Sequence, residues 1–205
     1  MKGGLSLSVT AIVIILGISF VSWLTKDAIT IGKQRWIQQS LKEIVPNELH
    51  DEQSVQQTFN YQHKALGTTT ALPVYPITKD GNWNGAAITA IATDGYTGDI
   101  KLLIAIGADN VLLGVRVLEH RETPGLGDDI DRTKSEWITQ FDNASLATIA
   151  SPLWAVKKNG GAFDQFTGAT ITPSAVVRAV HRVLSWYQKI GNTDLQKRYQ
   201  ETYDD

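Results

Sequence analysis

No charged residue occurs between Lys2 and Lys26, and Leu5 to Leu24 reads LSLSVTAIVIILGISFVSWL. About 20 apolar residues in helical form cross the roughly 30 Å hydrocarbon of a bilayer, so this run has the length of one membrane span. A cleaved leader has the same outline, a short basic start and an apolar run. Its apolar core is usually about 7–15 residues, however, and an Ala-x-Ala-like site follows it. Here the run is longer and leads only into Ser22-Trp23-Leu24-Thr25-Lys26-Asp27. The expectation is an uncleaved anchor over residues 1–25, with Trp23 at an interface. Lys2 on one side faces Lys26, Lys33 and Arg35 on the other, so the positive-inside count does not set the orientation. A stub of a few residues is easily left in the cytoplasm while a long C-terminal part crosses.

Beyond the anchor the chain carries 18 basic side chains (19 in all, less Lys2) against 21 acidic ones, a balance that offers nothing to nucleic acid. About 180 residues suffice for one domain with its own core. There is no cysteine. That excludes a cysteine-ligated iron–sulfur cluster, c-type haem attachment and a structural disulfide, and leaves the redox compartment open.

Ile29 to Val45 holds Trp36, Ile37, Leu41 and Ile44 at helical spacing and stops before Pro46-Asn47, which predicts a helix leaving the membrane and packing on the domain. Residues 26–70 are read as a juxtamembrane helical segment, although Asn47 to Gly67 is polar and shows no clear period. The domain proper is read as 71–205. Ala71 to Ile77 reads as a strand that Pro73 and Pro76 keep at an edge. Asn84 to Thr93, Ile100 to Ile106 and Val111 to Leu118 are three β-rich runs separated by Asp94-Gly95-Tyr96-Thr97-Gly98 and Gly107-Ala108-Asp109-Asn110, the pattern of an antiparallel meander. Asp131 to Phe141 predicts a short helix burying Trp137, Ile138 and Phe141, and Pro152 to Val156 a further strand. From Pro173 to Ile190, Val176, Val177, Val180, Val183, Leu184 and Tyr187 recur at steps of three and four, an amphipathic helix with Thr172 as N-cap, Pro173 at the first position and Lys189 and Gly191 at its end. The fold class is α+β, helices on a mostly antiparallel sheet.

Two stretches carry chemistry. Asp164-Gln165-Phe166-Thr167-Gly168-Ala169-Thr170-Ile171-Thr172-Pro173 places hydroxyls and small residues directly before a helix, whose first turn has unpaired N–H groups and the positive end of the dipole. That is a natural phosphate site, and equally an ordinary capped helix after a Thr/Gly turn. His120-Arg121-Glu122-Thr123-Pro124-Gly125-Leu126-Gly127-Asp128 follows the last meander strand, and ligands often meet loops based so rigidly. His50, His63 and His181 have no partner at metal-binding spacing. Thr170 lacks the free N-terminal amine by which a threonine nucleophile is activated. Asp164 by itself could cap a turn, and Trp154 and Phe166 suit a core or a pocket wall equally.

Both stretches resemble the FMN-binding domain family: Asp164 with Thr167-Gly168-Ala169-Thr170 is similar to its Asp-x-x-Ser/Thr-Gly-Ala-Thr flavinylation motif, and His120 to Gly127 to its His-x-Glu-Thr-Pro-Gly-Leu-Gly segment, in the family's order. The resemblance implies that Thr170 carries FMN through a phosphodiester made by a flavin transferase from FAD. Thr167, Gly168, Ala169 and Thr172 surround that site, and Asp164 is part of what the transferase recognises. Glu122, Thr123, Gly125, Leu126 and Gly127 line the flavin. No metal is implied. Anchor plus domain resemble the family's membrane subunits: the G subunit of Rnf-type ion-translocating ferredoxin:NAD oxidoreductases first, the C subunit of sodium-pumping NADH:quinone reductases as the alternative, expected to be longer. The chain would then be an electron carrier among partner subunits, not a free-standing catalyst, anchored in the bacterial inner membrane with its domain in the periplasm. A docking module without covalent flavin is the reading from another class.

Overall fold

The computed structural model describes residues 2–51 and 56–203. The chain divides into two compact units, Met1–Ile37 and Gln38–Asp205.

The first unit is helical. Helix α1 runs Lys2–Ile44 without a break, so the anchor and the helix expected to follow it are one element. Ile14–Ile44 contains a window of mean hydropathy 1.5, long and apolar enough to cross a membrane. Phe20, Val21, Trp23 and Leu24 are exposed, as side chains meant for a non-aqueous solvent would be.

The second unit is built on a five-stranded antiparallel sheet in the order β1-β2-β3-β4-β5. The strands are β1 (Phe59–Tyr61), β2 (Leu72–Lys79), β3 (Asn82–Ala92), β4 (Ile100–Gly107) and β5 (Leu112–Glu119). The meander is as expected from the three β-rich runs. The β2–β3 hairpin closes on Asp80-Gly81, with φ of 52° and 76° and Lys79 opposite Asn82, the doubly positive geometry that matches strand twist. The sheet edge differs from expectation. β1, drawn from the polar stretch that showed no period (residues 52–55 of it lie outside the described residues), pairs Asn60 with Pro73 and takes the edge from β2. Only three residues long, β1 satisfies the outer side of β2 where the prolines begin.

Side chains alternate across the sheet, and both faces are covered. Ala86, Ile88, Ala90, Leu102, Ile104, Val115 and Val117 join the core shared with Val176, Val180, Val183 and Leu184 of helix α2 (Ile171–Trp186). On the opposite face Ala87, Leu103 and Ala105 are also fully buried. Gly114 of β5 is there because a Cβ would stand 2.9 Å from the Cβ of Ile44, near the end of α1. Beside it the nearly buried Arg116 donates to Glu43 at 3.1 Å. Burial on both faces explains why β4, IKLLIAIG, reads as almost continuously apolar.

Three expectations are corrected. Asp131 to Phe141 is not one helix: only Trp137–Phe141 winds, as a 3-10 turn, after a separate turn at Asp128–Ile130; the Asp131 side chain takes the amide and hydroxyl of Thr133 and interrupts the helix. Pro152 to Val156 is not a strand: Ser151–Leu153 is a 3-10 turn and Val156 makes a lone parallel bridge with Phe163, because Trp154 turns inward, packs on Phe163 and donates to Ile149. The terminal helix does not end at Gly191. A π-helical turn, Tyr187–Gly191, links α2 to helix α3 (Asn192–Tyr203). The missing side chain of Gly191 lets it lie against the Trp186 ring, where a Cβ would come within 2.9 Å. Tyr187, buried with its hydroxyl 3.1 Å from Asn192, is pushed to a higher pKa, chiefly by burial.

Candidate functional site

Three loops meet at the N-terminus of α2: residues 93–99 between β3 and β4, residues 120–127 after β5, and the motif loop 164–170. Each is fixed by identifiable bonds. The Arg178 guanidinium, on the second turn of α2, donates twice to Asp94, at 2.8 and 2.5 Å, and holds the first loop against the helix. From that loop the amide of Thr97 donates to Glu122 Oε1 at 3.1 Å and its hydroxyl to the Arg121 carbonyl at 2.6 Å. The 120–127 loop is therefore gripped from the sheet side.

Its grip on the helix is Glu122. The side chain is 4% exposed, and its Oε2 accepts the Thr172 hydroxyl at 2.6 Å, a short bond to a charged acceptor. The Glu122 amide donates to His120 Nδ1 at 3.2 Å. Within the loop the Thr123 carbonyl accepts the amides of Leu126 and Gly127, and buried Asp128 accepts the Gly125 amide at 2.6 Å. Gly127 has an ordinary φ of −93°; its requirement is space. A Cβ there would lie 2.9 Å from Glu122 Oε2 and 3.0 Å from Thr172 Oγ1.

The motif loop rests on an aromatic cluster. Trp137 packs edge-on against Phe166 at 5.2 Å and donates from its indole to the Asp164 carbonyl at 2.7 Å. The Asp164 amide donates to Gln140 Oε1 and the Lys158 amide to Gln165 Oε1. Phe166 and Ala169 then bridge across Thr167-Gly168, with Gly168 at φ 82°, the left-handed position such a turn assigns to glycine.

The start of α2 corrects the sequence reading and changes the chemistry. The helix begins at Ile171, and Thr170, not Thr172, is the N-cap. Pro173 is therefore the third helical residue, and because it has no N–H it removes one of the amides an N-cap side chain ordinarily satisfies. Thr170 makes no capping bond through its side chain. The Ser174 amide is taken by the Thr170 carbonyl, so the amides of Ile171 and Thr172 are those with no intrahelical acceptor.

A cleft of about 160 Å³ opens where the loops meet. Thr170, Gly168, Ala169, Thr172, Glu122, Thr123, Leu126 and Gly127 line it, bringing together residues from stretches some 40 positions apart. Three residues expected at the site do not line it. Gly125 is exposed with its amide given to Asp128, Thr167 is exposed on its turn, and the half-exposed Asp164 carboxylate pairs with Lys157 at 2.6 Å. Two lining residues were missed: Ile171 and Tyr96. Both are large, apolar and exposed, as is Leu126, so the cleft has a hydrophobic rim. Tyr96 sits in a stretch that reads only as a hairpin turn; the one signal was an aromatic among turn residues. Among the described residues no cluster of His, Asp and Glu is suited to a metal.

The family described as FMN-binding domain matches residues 95–185, which contain the 120–127 and 164–170 loops and most of the first. The chain is 42% identical over 196 residues, 95% of this chain and 93% of the relative, to a protein of Aliivibrio fischeri (strain ATCC 700601 / ES114) named as the G subunit of an ion-translocating oxidoreductase complex. A protein of the same name from Shewanella oneidensis is 44% identical over 187 residues, 91% of this chain and 88% of that one. Among solved structures, the crystal structure of Shewanella oneidensis NqrC aligns with a TM-score of 0.44 at 20% identity, over 69% of this chain and 72% of that one.

Proposed function

The chain belongs to the family of G subunits of ion-translocating oxidoreductase complexes and contains an FMN-binding domain, and on that footing we propose that it carries FMN as a phosphodiester on Thr170 and relays electrons between other subunits of such a complex. The flavin, when bound, supplies the electron-accepting and electron-donating chemistry. The rest is done by the chain's own residues.

The observation that carries the proposal is the state of the hydroxyls around the motif. Thr172 is buried and its hydroxyl is committed to Glu122. The Ser174 hydroxyl donates to the Thr170 carbonyl. Thr167 stands outside the cleft. Among the motif's own hydroxyls, Thr170 is the one that lines the cleft and makes no side-chain capping bond; the hydroxyls of Thr123 and Tyr96 also face the cleft, but from the other two loops and away from the helix start. Thr170 also adjoins the two unpaired amides of the helix start, which favour the negative charge a phosphodiester keeps. Volume supports a covalent tether. At about 160 Å³ the cleft is smaller than the roughly 300–1,000 Å³ of sites that engulf a drug-sized ligand, so a flavin would be held along one edge and would escape if unattached.

Asp164 is exposed, pairs with Lys157 and does not line the cleft, which supports a role in recognition by a flavin transferase over contact with the cofactor. Residues 1–25 anchor the protein in the inner membrane, and the sheet domain that follows, with β1 at Phe59–Tyr61 as part of it, works on the periplasmic side. The family supports an Rnf-type complex over the C subunit of a sodium-pumping reductase or a cofactor-free docking module.

The test is in-gel flavin fluorescence after denaturation, with the chain co-produced with a flavin transferase. Thr170→Ala is expected to abolish the signal; Thr167→Ala and Thr172→Val are expected to keep it. Undiminished covalent fluorescence in Thr170→Ala removes the proposal.

A further inference from the structure

Glu122 places a carboxylate in the cleft where the cofactor would lie, and its surroundings do not neutralise it. Both oxygens accept hydrogen bonds, Oε1 from the Thr97 amide and Oε2 from the Thr172 hydroxyl, the pattern of an ionised acceptor. Among the described residues no lysine, arginine or histidine side chain forms an ion pair with it. Arg178 pairs with Asp94 instead, and His120 accepts the Glu122 amide through Nδ1. Only 4% of the residue is exposed, so neither water nor salt screens the charge as it would on the surface.

We propose that Glu122 is a tuning residue for the relay, an uncompensated buried carboxylate that holds the flavin at a low reduction potential and couples its reduction to proton uptake. The inference rests on the reading that FMN occupies this cleft. Full reduction of a flavin adds two electrons with either one proton, leaving a negative ring, or two protons, leaving a neutral one. The electrons come from and return to redox centres of other subunits, and the protons from water. A fixed negative charge beside the ring opposes the negative product. Reduction then becomes harder, and the second proton is drawn onto the ring. The hydroxyl of Thr172 and the amide of Thr97 hold the charge in place without cancelling it. A relay that releases electrons readily to its acceptor is the consequence.

The experiment is a spectroelectrochemical titration of the full-length flavinylated protein in detergent from pH 6 to 9, with covalent flavin first verified by denaturing-gel fluorescence. Glu122→Gln keeps the shape and one acceptor oxygen and removes the charge. It is expected to raise the midpoint potential and to lower the proton uptake per two electrons, read from the pH slope, from two towards one. Glu122→Asp keeps the charge and is expected to stay near the unaltered protein on both measures. Glu136→Gln, the same charge change at an exposed side chain paired with Arg132, is expected to move neither. Should Glu122→Gln not fold, ionic strength decides: the potential of the unaltered protein is expected to hold from low to high salt, since the charge responsible is buried, and a potential that climbs with salt overturns the inference. Flavin present with an unchanged potential and slope in Glu122→Gln overturns the inference alone. Absence of covalent flavin from the unaltered chain overturns the reading beneath it as well.

Discussion

Gly127→Ala adds one methyl group at the most crowded point of the site, and its cost can be worked from the contacts. The backbone there is unstrained at φ −93°, so any penalty is steric. The new Cβ would lie 2.9 Å from the Cβ and Oε2 of Glu122 and 3.0 Å from Thr172 Oγ1. Neither neighbour is free to yield. Glu122 is tied through both oxygens, and Thr172 is 1% exposed in the first turn of α2. Relief requires breaking the Thr172–Glu122 bond, about 1.5–3 kcal/mol for a hydrogen bond to a charged group, or shifting the loop against the helix, about 1–3 kcal/mol for an overpacked contact. The expected destabilisation is about 1–3 kcal/mol. Urea unfolding followed by tryptophan fluorescence measures it, with Thr172→Val and the double variant completing a cycle. If the clash acts through the Thr172–Glu122 bond, the double variant is less destabilised than the sum by more than about 0.5 kcal/mol. A Gly127→Ala protein within about 0.5 kcal/mol of the unaltered one, or strict additivity, refutes the account of how the loop is locked to the helix.

Two further perturbations probe what supports the motif loop. Trp137→Phe keeps a ring against Phe166 and deletes the indole bond to the Asp164 carbonyl; it is expected to cost about 0.5–1.5 kcal/mol in urea unfolding and to slow flavin attachment to Thr170, and an unchanged attachment rate argues against the aromatic cluster as the loop's foundation. His181 on α2 stacks on Trp154 at 5.4 Å, and burial holds its pKa below the ordinary 6.5. The folded state thus prefers neutral imidazole, and the stability this represents is complete above pH 6.5 and declines as the pH falls through that value towards the depressed folded pKa. His181→Gln is expected to flatten the fall in urea midpoint between about pH 8 and 5; an identical slope in the variant contradicts it.

The parts of this protein that follow local rules were legible in its residues. Alternation and turn residues placed β3, β4 and β5, and the step of three and four placed the buried face of α2. Glycines and hydroxyls at a helix start are local chemistry and read as an anion-friendly loop; that residues 120–127 face it came only from the resemblance to the FMN-binding family. What was not legible depends on tertiary partners. Pro173 looks like a first helical residue, yet the chain winds two residues earlier, with Thr172 drawn inward by Glu122, 50 residues away. Trp154 and its neighbours read as a strand, but the indole is committed to Phe163 and Ile149. Gly191 looked like a helix stop and instead makes room for Trp186. Tyr96 joined the cleft only because Arg178 pulls its turn, through Asp94, onto α2.

The central claim is the ester on Thr170, and intact mass followed by peptide mapping of the full chain, co-produced with a transferase shown to be active on another acceptor, tests it most directly. The account predicts an increment of one FMN less one water on the peptide containing Thr170. The same increment on Thr167 or Thr172, or no increment at all, would contradict it.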